Sequence, residues 1–254
     1  MGAGHAYRMH RPGDSPVHRL PAHVKVVALL GFVLVVVATP REQVWAFVAY
    51  ALMLAVVAAV ARVPAGFVLP RMLVELPFVV FALLLPLVAT GPRVDVAGVS
   101  LSVHGLWAGW NVLAKGTLGV FAAILLAATT EPRALLVGLQ RLRVPALLVE
   151  IASFMVRYVD VVSDEMRRMR IARESRGFHA GHVGHVRVLA QAAGALFIRS
   201  YERGERVHLA MLSRGYTGAL PVLEDGGASA AAWRLAAVLP AAALAVGATA
   251  WVLA

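Results

Sequence analysis

"HVKVVALLGFVLVVVATP", residues 23–40, is an apolar run with a single charge, Lys25, close to its start. About 20 apolar residues match the thickness of a bilayer's hydrocarbon, so the run reads as a membrane span. Lys25 is expected to snorkel to the headgroups along its long side chain. The run differs from a secretory signal peptide: it is long, no A-x-A site follows it, and it is not the last of its kind. Four more apolar segments follow, at about 43–61, 72–90, 105–130 and 235–254. Five spans are therefore expected, with a sixth to be sought in 144–162 or 186–198.

The whole composition agrees. Of 254 residues, 60% are hydrophobic and 15% charged, against about a quarter charged in a soluble domain. The mean hydropathy is +0.75. The net charge of +10 is the excess expected of a membrane protein's cytoplasmic loops, and no nucleic-acid partner is inferred from it. There is no cysteine, which excludes disulfides, thiolate metal sites and cysteine nucleophiles.

Charge placement sets the orientation. With the N-terminus inside, the outer loops 41–42 and 91–104 hold only Arg41 and Arg93. The inner side then holds Arg8, Arg11, Arg19, Arg62, Arg71 and the basic stretch from Arg133 to Arg214. The reverse orientation would violate the positive-inside rule.

From about 131 to 222 charges become frequent while apolar stretches continue. "VPALLVEIASFMVRYVDVVSDEMRRMRIARESRG" offers Pro145 as a helix start and Gly177 as a helix end. A second helix, at roughly 185–214, also passes from apolar to charged and ends in Arg214-Gly215. Both helices are amphipathic and present matched C-terminal tips on the inner side. The tips share one pattern, A-x-x-S-R-G-aromatic: Ala172, Ser175, Arg176, Gly177 and Phe178, then Ala210, Ser213, Arg214, Gly215 and Tyr216. A single Arg-Gly is explained by capping, because glycine takes the left-handed conformation cheaply and arginine complements the helix dipole. The full pattern on two successive helices points beyond capping, to a docking signal.

The pair resembles the Ala-Arg-Gly signatures of the transmembrane T component of energy-coupling-factor (ECF) transporters, a class of ABC importer. "RIARESRGF" and "RSYERGERVHLAMLSRGYTG" are similar to its cobalt-type branch, CbiQ, as are "HRLPAHVKVVALL" and "VELPFVVFALLLPL". Serine replaces alanine at the first signature position; both are small. The resemblance implies an all-α polytopic membrane protein with two long cytoplasmic coupling helices, in a bacterial inner membrane. It also implies two cytoplasmic ATP-binding subunits as partners, a separate membrane S subunit that captures the substrate, and cobalt uptake for cobalamin biosynthesis. Carried over, Arg176 and Arg214 insert into ATPase grooves, and Ser175, Gly177, Ser213 and Gly215 allow close approach. The implied organisation is a cytoplasmic tail (1–22), four spans (23–130), the coupling region (131–222), and a linker with the last span (223–254). Nickel or a vitamin is the alternative substrate.

Other signals point to less. His179, His182 and His185 have three-residue spacing, but Gly181 and Gly184 argue for a solvated loop, and metal capture belongs to the S subunit. His5 and His10 lie in the N-terminal tail. Glu75 sits four residues after Arg71, in position for an interfacial ion pair. Asn111 and Lys115 are polar residues within a span, Lys115 with no assigned partner. There is no phosphate-binding G-x-x-x-x-G-K-[ST], no H-E-x-x-H and no serine triad. No cofactor, metal site or catalytic set is expected on this chain, and a membrane enzyme would need convergent polar residues that the spans lack.

Overall fold

A backbone in hydrocarbon has to satisfy its own polar groups, and these apolar runs do so as helices. The computed structural model describes residues 9–96, 99–177, 186–218 and 227–253. In chain order the elements are α1 (Pro16–Arg19), α2 (Ala22–Ala38), α3 (Val44–Val60), α4 (Ala65–Met72), a 3₁₀ turn (Leu73–Glu75) and α5 (Leu76–Val88). A hairpin of β1 (Arg93–Val96) and β2 (Val99–Ser102) follows, then α6 (Val103–Thr129), α7 (Pro132–Arg141), α8 (Ala146–Glu174), α9 (Val186–Leu212) and α10 (Ala230–Val252). The chain separates into two units, one of Met9–Gly138 with Gly226–Ala254, the other containing Leu139–Asp225.

In the first unit, α6 packs against α2, α3, α4 and α5, and α10 packs on α2 and α3. The segments Ala65–Val88, Val103–Thr129 and Ala230–Val252 are long and apolar enough to cross a membrane. The apolar helices α2 and α3 have 17 residues each, about 25 Å at the α-helical rise and at the short end of the spanning range. Tyr50 is central to the core, with Phe32 and Phe47 edge-to-face at centroid distances of 5.9 and 6.3 Å. Between α5 and α6 the backbones approach so closely that a Cβ on Gly105 would lie 2.5 Å from the Leu85 carbonyl oxygen, and one on Gly109 2.7 Å from that of Ala82. Such contact is how helices associate where solvent supplies no hydrophobic drive. The outer surface is apolar: Leu34 is 69% exposed and Leu83 64%. A water-facing surface would not carry such a belt; lipid covers it.

Sequence and structure differ in two places. Lys25 does not snorkel. It is buried, and its Nζ donates to the Thr129 carbonyl at 2.7 Å, Thr130 Oγ1 at 3.1 Å and the His18 carbonyl at 3.3 Å. The last carbonyls of α6 have no partner in their own helix and carry the negative end of its dipole, so they draw the ammonium inward. The stretch 91–104, read as a loop, holds the β1–β2 hairpin, with Arg93 paired to Ser102 and Val94 to Leu101. The helices α8 and α9, where a sixth span is to be sought, are not among those long and apolar enough to cross. Glu150, Arg157 and Asp160 interrupt the apolar half of α8, and Arg187 and Arg199 bracket that of α9.

Helix ends follow local chemistry. Pro77, in the first turn of α5, has no N–H to give back to the preceding turn, and the chain tightens there into the 3₁₀ segment Leu73–Glu75. The sequence Arg-Val-Pro occurs twice, at Arg62-Val63-Pro64 and Arg143-Val144-Pro145. Each arginine takes a left-handed φ, 55° and 60°. The valine N–H then closes back on the preceding helix, at Ala58 and Leu139, and proline launches the next.

In the second unit, α8 and α9 run antiparallel. Arg199 Nη1 of α9 donates to Glu165 Oε1 of α8 at 2.7 Å. Tyr216, just past α9, donates to Glu150 Oε2 near the start of α8 at 2.5 Å. Moving from Glu165 back to Glu150 on one helix thus corresponds to moving forward from Arg199 on the other.

Candidate functional site

The candidate site is the pair of tips that end α8 and α9, and the two are built alike. Ser175 N–H donates to the Ile171 carbonyl at 2.9 Å and Ser213 N–H to that of Leu209 at 3.0 Å. The serine hydroxyls donate to the carbonyls of the signature alanines, Ser175 to Ala172 at 3.1 Å and Ser213 to Ala210 at 3.0 Å. Gly177 N–H bonds to the Glu174 carbonyl and Gly215 N–H to the Leu212 carbonyl, both at 3.0 Å. At the second tip Tyr216 N–H reaches the Met211 carbonyl at 3.1 Å, completing a Schellman cap.

Gly177 and Gly215 have φ of +78° and +83°, a conformation that costs any residue with a Cβ. No atom would meet a Cβ at either position, so backbone conformation rather than crowding selects glycine there. Ser175, Arg176, Gly177, Ser213, Arg214 and Gly215 are all exposed. Neither the Arg176 nor the Arg214 guanidinium has a partner among the described residues. By contrast, Arg168 and Arg199 share Glu165.

The tips are matched in sequence but not adjacent. Because α8 and α9 are antiparallel, Arg176 lies at one end of the pair, and Arg214 lies at the other, beside the start of α8. Their separation is about 40 Å along the pair at the α-helical rise. Two cationic, rigidly capped, unpartnered forks of donors, far apart, can hold two separate acidic surfaces.

The remaining candidates fall elsewhere. His5, His179, His182 and His185 lie outside the described residues. Among the described residues no cluster of three or more histidines and carboxylates could hold a metal. Glu75 is buried and accepts from Thr117 Oγ1 at 2.7 Å. Arg71 donates to the Phe67 carbonyl at 2.8 Å and lies 3.5 Å above the Phe67 ring. Asn111 Oδ1 is enclosed with no partner among the described residues. Lys115 Nζ donates to the Val37 carbonyl at the end of α2, at 2.7 Å. Sequence reasoning missed the Glu150–Tyr216 tie; the aromatic after each glycine was the signal, and its hydroxyl, present at Tyr216 alone, was the clue.

Comparison with known proteins places these features in a family. The family model described as "Cobalt transport protein" matches residues 13–223. The cobalt transport protein CbiQ of Rhodobacter capsulatus is 31% identical over 64% of this chain and 65% of its own length. The energy-coupling factor transporter transmembrane protein EcfT of Listeria innocua is 27% identical over 82% of this chain and 83% of its own. An uncharacterized protein of Methanocaldococcus jannaschii is 30% identical over 52% of this chain, and the match spans half of that relative.

Proposed function

The chain belongs to the cobalt transport protein family, and we propose that it is the transmembrane T component of an ECF importer for cobalt ion. In this reading it lies in a bacterial inner membrane with its N-terminus in the cytoplasm, and joins two ATP-binding subunits to a membrane S subunit that captures the metal. The tail 1–22, the spans in 23–130 and 223–254, and the coupling region 131–222 divide the work. ATP hydrolysis takes place on the partners, and this chain holds no cofactor.

Arg176 docks in one ATPase and Arg214 in the other, each guanidinium pairing with carboxylates in a fixed fork geometry. Ser175, Gly177, Ser213 and Gly215 keep the tips slim enough to enter. When nucleotide draws the ATPases together, the two tips move relative to each other, and α8 and α9 carry that motion toward the membrane. The observation that carries this reading is the pair of similarly capped, exposed tips, with arginines unpartnered among the described residues at opposite ends of one antiparallel helix pair.

The test is retention of the ATPases by the detergent-solubilised chain, comparing wild type with Arg176→Glu, Arg214→Glu and the double variant. Each single change is expected to weaken retention and the double change to abolish it. Unchanged retention by a folded double variant overturns the reading. A T component for nickel or a vitamin is the second reading, left open because the names of the EcfT relatives carry no substrate. Uptake of labelled cobalt against nickel separates the two metals.

A further inference from the structure

Two cavities of opposite character meet at Lys25. The first, of about 580 Å³, is an apolar groove among α2, α3, α6 and α10, walled by residues such as Phe32, Val57, Leu125 and Leu239. The second, of about 320 Å³, is polar and lined by His10, His18, Thr130 and Glu131 among others. Leu20, Lys25 and Thr129 line both. They sit where α2 begins and α6 ends, so the groove runs along the spans and the polar cavity lies at headgroup level.

Lys25 is 8% exposed, and every acceptor of its three hydrogen bonds is a neutral oxygen. Its charge is therefore solvated by dipoles but not balanced by an anion among the described residues, an arrangement that leaves a buried cation short of its best partner. Of the nearby carboxylates, Asp14 is held by Arg19 at 2.7 Å, and Glu131 lies in the polar cavity itself. His10 and His18 also line that cavity. His18 is already committed, with Nε2 against the Arg11 carbonyl at 3.1 Å and Nδ1 against Ser15 Oγ at 2.7 Å.

We propose that this double cavity is a site for one anionic phospholipid, with its phosphate at Lys25 and an acyl chain in the apolar groove. The weakest bond of the ammonium, 3.3 Å to the His18 carbonyl, is the one a phosphate oxygen replaces. An acyl chain covers the groove and leaves its apolar walls dry. Neither cavity alone specifies this ligand; a free anion has no use for the groove, and an uncharged chain has none for the lysine.

The test is lipid retention by the full-length chain, purified in mild detergent and read by native mass spectrometry. The probes are dioleoylphosphatidylglycerol, dioleoylphosphatidylcholine and inorganic phosphate. Wild type is expected to keep one phosphatidylglycerol with a preference of about fivefold over phosphatidylcholine, the size expected for one lysine at the headgroup level. Lys25→Met is expected to abolish the preference, and Ala242→Trp, which fills the groove, to lower retention of both lipids. Lys115→Met, outside both cavities, keeps the preference. Equal retention of the two lipids by wild type overturns the proposal without recourse to any variant. So does equal protection by inorganic phosphate, which assigns the cavity to a free anion. If Ala242→Trp leaves lipid retention intact but blocks subunit assembly, the groove belongs to a partner helix and the proposal fails.

Discussion

Lys25 and Lys115 form reciprocal ties between antiparallel helices. Lys25, in the first turn of α2, donates to the Thr129 carbonyl that ends α6, and Lys115 of α6 donates to the Val37 carbonyl near the end of α2, both at 2.7 Å. Each ammonium meets carbonyls with no partner in their own helix, at the negative pole of that helix. Replacing Lys25 by methionine is expected to destabilise the membrane unit by about 1–3 kcal/mol, the consequence of stranding enclosed acceptors, and Lys115→Met by less, because the bond to Val37 is exposed. Lys25→Met is expected to be worse, because it strands the Thr130 hydroxyl as well as the carbonyl. Thermal unfolding in detergent checks this; identical melting of wild type and both variants refutes it.

The tips predict a contrast between two glycines of one helix. Gly215 has a φ of +83°, whereas Gly204, inside α9, has ordinary helical backbone and open space around it. Gly215→Ala is expected to cost about 1–2 kcal/mol of local stability and to weaken ATPase retention. Gly204→Ala is expected to gain roughly 0.5–1 kcal/mol through helix propensity. Hydrogen exchange across 205–216 distinguishes them, and the same response to both changes would rule out the capping account.

The α8–α9 pair is expected to loosen in acid. Hydrogen bonds from Arg168 and then Arg199 hold the Glu165 carboxyl below its ordinary value of 4.5. A carboxyl depressed in the folded state contributes stability above its unfolded value and loses that contribution as pH falls through the folded one. Spin labels on the two helices near residues 165 and 199 are therefore expected to separate below about pH 4.5, and Glu165→Gln is expected to separate them at neutral pH. Distances independent of pH and of this substitution would remove Glu165 from the account.

The second tip is tied back by Tyr216, and the first has phenylalanine at the matching position. Tyr216→Phe keeps the Schellman cap, a backbone feature, and removes the bond to Glu150. It is expected to leave ATPase retention intact while reducing metal uptake per ATP hydrolysed, since the held tip no longer drags the start of α8. Unchanged coupling in Tyr216→Phe would make the tie dispensable.

Much of this was legible in the sequence, because a span needs only a long apolar run. The run at 23–40 became α2 at Ala22–Ala38, and 105–130 became α6 at Val103–Thr129. The helix-ending role of Gly177 and Gly215 was legible from the same local chemistry. The lysines were not: whether Lys25 turns outward to headgroups or inward to α6 depends on residues more than a hundred positions away. The hairpin was hidden because Val94 and Leu101 alternate with polar neighbours over only four residues per strand. That the two matched tips face opposite ends of a helix pair required Glu165–Arg199 and Glu150–Tyr216, contacts between residues 34 and 66 positions apart.

The chain has no cysteine, so a cysteine placed at each tip is a unique chemical handle. The most direct test of the coupling account is cross-linking of Ser175→Cys/Ser213→Cys to ATPase subunits bearing one cysteine in the groove that the account assigns to each tip. The account predicts a product in which one copy of this chain carries two ATPase subunits, one through each tip, with each single-cysteine chain carrying only one. A double-cysteine chain that never links more than one ATPase subunit, in a complex that retains both, would contradict it.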